Sequence, residues 1–119
     1  MNFITLLRGL LIWGITLTAC AAVDQAQSPQ KITILAHRFA FEPNEITVKK
    51  GQEVTLVLQS QDVAHGLVVE GLGVRTEVKK GQSSEVKLTP QSTGTFRGKC
   101  AHFCGSGHGK MTLTVHVTE

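Results

Sequence analysis

The chain has 119 residues, enough for one small domain and no more. A hydrophobic fraction of 41% lets a core form, and a formal net charge of +3 is too weak to argue for nucleic acid. The basic residues are also spread along the chain, apart from Lys49-Lys50 and Lys79-Lys80, each just before a glycine turn.

The N-terminus reads as a targeting segment. Arg8 gives a positive n-region, and residues 9–18 form an apolar stretch far shorter than the ~20 residues that span a bilayer. Leu17-Thr18-Ala19-Cys20 resembles a bacterial lipoprotein lipobox: small residues admit a peptidase and the Cys20 thiol accepts lipid. This predicts a short signal helix over residues 1–19 and a lipidated Cys20 opening a flexible tether to residue 30. One domain, residues 31–119, would follow, outside the cytoplasm and held to a bacterial membrane by lipid. An uncleaved anchor over residues 3–22 and an ordinary signal peptide with a free Cys20 stay open; either also exports the domain. Losing residues 1–19 removes Arg8 and no acid, which leaves 11 basic against 9 acidic residues, or +2. Trp13 goes with them, so the remainder has neither Trp nor Tyr.

Residues 21–30 are polar and without period, as a tether should be. From Lys31 the pattern is β. Residues 31–37 alternate around Ile32, Ile34 and Ala36; Phe39, Phe41 and Pro43 follow, then residues 45–50 with Ile46 and Val48. Lys50-Gly51-Gln52 is a turn before residues 53–59, which alternate through Val54, Leu56 and Leu58. Residues 66–70 are an apolar run broken by Gly71 and Gly73, and residues 74–78 form a short strand. Lys80-Gly81-Gln82 is a second turn like the first. Residues 85–89 and 93–99 are further strands, and residues 111–118 close the chain with Met111, Leu113, Val115 and Val117 on one face. Short strands, frequent glycine turns and no 3.6-residue period predict an all-β sandwich.

Between the last two strands lies Cys100-Ala101-His102-Phe103-Cys104-Gly105-Ser106-Gly107-His108-Gly109-Lys110-Met111. Thiolate and thioether are soft ligands and imidazole suits copper, so this stretch reads first as a copper site. Zinc sites use Cys, His and carboxylates and have little use for Met. The three glycines let the loop fold its donors toward one point. A structural disulfide between Cys100 and Cys104, with Met111 as a core residue, is the plain alternative. One loop rarely completes a metal site, and His65, in Ser60-Gln61-Asp62-Val63-Ala64-His65-Gly66, is the candidate distant donor; Asp62 is placed to orient it. His116 should point to solvent, His37 receives no role, and the His102 side chain can point away from a metal. Phe103 and Phe96 are candidates for apolar cover. No nucleophile–base pair or paired-carboxylate arrangement suggests hydrolysis.

Asp62-Val63-Ala64-His65 together with Cys-x3-Cys-x3-His-x2-Met at residues 100–111 resembles the binuclear CuA domain of cytochrome c oxidase subunit II, and is similar to that of nitrous oxide reductase. The resemblance covers residues 31–118 and implies a cupredoxin-like Greek-key β-sandwich. It implies two copper ions bridged by Cys100 and Cys104. His65 and His108 would each bind one ion, with Met111 as weak ligand to the copper of His65 and the His102 backbone carbonyl as weak ligand to the other. It also implies single-electron transfer between a c-type cytochrome and a terminal oxidase or another copper enzyme, in the manner of an oxidase subunit II, rather than an enzyme acting alone. The chain departs from the family in its lipoprotein-like leader, where subunits II usually have one or two transmembrane helices. It also lacks the aromatic segment rich in Trp and Tyr. A copper storage or delivery protein, or a mononuclear site, would use the same residues.

Overall fold

Alternating apolar residues build nine strands among the described residues. The structure is a computed structural model that describes residues 29–119, together with residue 14. The expected signal helix, the lipid site at Cys20 and most of the tether lie outside the described residues. Among the described residues, no helix is long and apolar enough to cross a membrane.

The strands are β1 (Gln30–His37), β2 (Ala40–Glu42), β3 (Glu45–Lys49), β4 (Val54–Ser60), β5 (His65–Val69), β6 (Val74–Val78), β7 (Ser83–Leu88), β8 (Gly94–Lys99) and β9 (Thr112–Thr118). They form two sheets, one in the order β2-β1-β4-β7 and the other β3-β9-β8-β5-β6. Pairing is antiparallel except for β1 with β4 and β3 with β9, which are parallel. The chain crosses between the sheets after β2, β3, β4, β6 and β7, so residues distant in sequence meet at the sandwich ends.

The core follows from the period-2 pattern. Ile34, Ala36, Ile46, Val48, Leu67, Val69, Leu113, Val115 and Val117 point inward and are buried. β4 departs from simple alternation: Val54 to Leu58 are all buried, because this strand is central in its sheet and covered on both faces. Gly98 lets β8 lie close to its neighbours; a Cβ there would stand 2.9 Å from Val69 Cγ2 and 3.1 Å from Leu67 Cδ1. The two Lys-Lys-Gly-Gln turns are built alike. Gln52 N–H donates to the Lys49 carbonyl and Gln82 N–H to that of Lys79, while Gly51 and Gly81 take φ of 78° and 72°. That left-handed region is open to glycine at little cost.

Most strand bounds agree with the sequence pattern to within two residues. Two differ in a way that matters. The fifth strand begins at His65 rather than after it, with His65 paired to Val78. Met111 lies just before β9, buried, and its N–H closes a 3₁₀ turn over His108–Lys110.

Candidate metal centre

The ends of β1, β4 and β8 and the starts of β5 and β9 converge at one pole of the sandwich, and the donors gather there. Backbone bonds stitch them together: Gln61 N–H to the Ala36 carbonyl, Ala101 N–H to that of Gly66, and Cys100 N–H to that of Met111, each 3.1 Å. Gly66 permits this closeness, since a Cβ there would lie 3.1 Å from both the Ala101 Cβ and the His102 nitrogen. The loop then turns at Gly105 (φ 134°), where His108 N–H donates to the Gly105 carbonyl, and enters the 3₁₀ turn that returns Met111 to the core.

Cys100 and Cys104 are free thiols with their sulfurs 3.7 Å apart, so the structure contains no disulfide between them. His65 Nδ1 lies 3.9 Å from Cys100 Sγ, and His108 Nδ1 lies 3.8 Å from Cys104 Sγ. Met111 Sδ is 3.8 Å from Cys104 Sγ, and the His102 carbonyl oxygen is 3.1 Å from Cys100 Sγ. The His65, Cys100 and Cys104 donor atoms all fall within 4.8 Å of one another, a spacing that a metal ion can bridge. His65 is wholly buried, and Cys100, Cys104 and Met111 nearly so. Two sulfurs flanked by two imidazoles, a thioether and a carbonyl fit a soft thiophilic metal and would suit a hard cation poorly.

Asp62 serves His65. Its Oδ1 accepts from His65 Nε2 at 2.7 Å, which leaves the Nδ1 lone pair facing the sulfurs. Its Oδ2 accepts the Arg38 N–H at 2.7 Å, and Oδ1 also accepts the Val63 N–H at 2.7 Å. Partial burial pushes the Asp62 carboxyl up, but the Arg38 N–H, the His65 ring and the Val63 N–H together outweigh it and hold the group at about 2. Burial, followed by the neighbouring Cys100 thiol, pushes the Cys104 thiol up to about 11.

The His102 side chain turns outward, with Nδ1 4.0 Å from Glu77 Oε1. His116 alternates with the buried face of β9 and meets Glu45 at 3.5 Å, while His37 pairs with Glu42 at 3.0 Å. Phe103 is not a buried cover: it is 75% exposed and tilted against the His108 ring, centroids 5.7 Å apart. Phe96 packs on Gly71, away from the donors. Sequence reasoning missed Arg38 and Phe39. Arg38 Nε donates to the Cys104 carbonyl at 2.9 Å across 66 positions of chain, and the Phe39 ring packs against Gly105 and Gly107. No short-range pattern marks either residue.

Comparison with known proteins agrees with this architecture. Residues 8–114 match the model of the cupredoxin-like domain. Over 101 residues the chain is 37% identical to a cytochrome c oxidase subunit 2 of Thermus thermophilus, covering 85% of this chain and 75% of that protein. A second subunit 2, from another strain of the same species, is also 37% identical over 101 residues; the chain spans 60% of its length. Among solved structures, the periplasmic domain of subunit II of cytochrome oxidase from Bradyrhizobium japonicum superposes with a TM-score of 0.70 at 20% identity, covering 76% of this chain and 84% of that one. The fold, the identity and the coverage agree: this chain belongs to the cupredoxin-like domain family, among the relatives of cytochrome c oxidase subunit 2.

Proposed function

We propose that the protein is an extracytoplasmic electron-transfer module that holds two copper ions in a CuA-type centre. The observation that carries this reading is the pair of buried sulfurs 3.7 Å apart, with His65 beside one and His108 beside the other. Cys100 and Cys104 would hold both ions between them. His65 and Met111 would serve one ion, and His108 and the His102 carbonyl the other. Bound copper supplies one-electron oxidation and reduction.

The chain's own residues set the conditions for that exchange. Asp62 holds the His65 ring in one tautomer and orientation. Burial of both thiols, of His65 and of Met111 keeps water from the donors. Strand ends anchor the ligands on a rigid sandwich, so they need move little when charge changes. Phe103, exposed and leaning on His108, gives a partner a short apolar approach to a ligand ring. The subunit 2 relatives support a c-type cytochrome as electron donor and a terminal oxidase or other copper enzyme as acceptor. The protein would work as a subunit II-like component, tethered by lipid at Cys20. Burial of the donors favours a carrier that retains its metal over a delivery protein, which must release it.

Copper analysis and spin resonance of the loaded full chain test the reading. Two ions per chain, with hyperfine structure from both nuclei, are expected. One ion with a single-nucleus pattern would replace the reading with a mononuclear site.

A further inference from the structure

Two contacts outside the ligand set join its halves. Arg38 follows β1 directly. Its Nε donates to the Cys104 carbonyl at 2.9 Å, and its backbone N–H donates to Asp62 Oδ2 at 2.7 Å. Asp62 Oδ1 in turn accepts from His65 Nε2. A continuous path of hydrogen bonds therefore runs from the Cys104 segment through one residue to the ring of His65. Phe39 adds an apolar contact on the same loop. A Cβ at Gly105 would stand 2.9 Å from its ring, and one at Gly107 would lie closer still. The loop thus rests on Phe39 and is pinned by Arg38.

We propose that Arg38 is a positioning residue that fixes the Cys104 segment relative to His65, and that its guanidinium charge favours the reduced form of the centre. The inference rests on the copper-carrier reading above. The geometry needs arginine: Nε lies inside a planar fork held close to the backbone, where lysine offers only a mobile terminal ammonium. The charge argument is electrostatic. Reduction adds one electron to the centre, so a fixed cation beside the thiolates stabilises the reduced state and raises the potential. The Arg38 charge does reach this sulfur, since it opposes the upward push that burial and Cys100 exert on the Cys104 thiol.

Two variants of the full chain separate position from charge. R38K keeps the charge and loses the Nε bond; R38Q loses both. Amide hydrogen exchange of residues 105–110 in metal-free protein should quicken several-fold in each variant. In copper-loaded protein equilibrated with a ferricyanide–ferrocyanide couple, R38Q should shift the oxidised-to-reduced ratio at fixed applied potential toward oxidised. The expected shift is about three- to tenfold; tenfold corresponds to about 59 mV for one electron. R38K should stay within about twofold of wild type. Unchanged exchange in R38K would overturn the positioning role. Quickened exchange with an unchanged ratio in R38Q would overturn the charge role. The exchange measurement needs no metal, so it decides the positioning role even for a chain that takes up no copper, a result that would sink the carrier reading separately.

Discussion

Asp62→Asn keeps the side-chain volume and removes the charge that three donors converge on. The carboxyl is held at about 2 against an ordinary 3.8, nearly two units. At about 1.36 kcal/mol per unit, a fully buried group would contribute roughly 2.4 kcal/mol. The Asp62 side chain is 32% exposed, so solvent screening reduces this to about 1 kcal/mol. Because the folded value lies below the unfolded one, the contribution is fully present above pH 3.8 and fades as pH falls toward 2. Urea unfolding of the metal-free chain at pH 6 should show D62N less stable by about 1 kcal/mol, a drop of roughly 4–8 °C in Tm for a domain of this size. The gap should close when both proteins are compared near pH 2. Equal midpoints at pH 6, or a gap that persists unchanged at pH 2, would refute the assignment of Asp62 as a charged anchor for His65 and Arg38.

Gly98→Ala should destabilise the domain by about 1–3 kcal/mol in denaturant titration, because the new methyl meets Val69 and Leu67 inside a filled core. Cys100→Ser should leave a folded sandwich by circular dichroism while removing any two-nucleus spin signal from the copper-loaded protein. His37 titrates above its ordinary 6.5, first through its bond to Glu42 and then through the Arg38 carbonyl. Its stabilising effect is therefore present below pH 6.5 and lost as pH rises through the folded value. Proton NMR should show the raised midpoint, and Glu42→Gln should bring it down.

The alternating stretches in β1, β3 and β9 were legible because one face of each meets the core and the other meets solvent. The paired Lys-Lys-Gly-Gln turns were legible because glycine in that position has a local, conformational reason. β7 was harder. Its first residues, Ser83 and Ser84, look like loop, and pairing with Gln59 and Leu58 draws them into the sheet. His65 likewise reads as a polar turn residue until Asp62 satisfies its ring and Val78 pairs with its backbone. The donor-rich loop announced itself through spacing alone. The Arg38 and Phe39 contacts did not, because they join residues some 66 positions apart and depend on which strand ends share a pole. Phe103 shows the converse: its apolar character suggested cover, yet the loop presents it outward.

His65 and Cys100 stand 35 positions apart, and the strands that bring them together belong to a sheet that β9, the last to be made, completes. No fragment of this chain, cut or half-synthesised, can assemble the pocket. Loading must therefore come after maturation, and an occupied centre certifies that the whole polypeptide has reached its native topology.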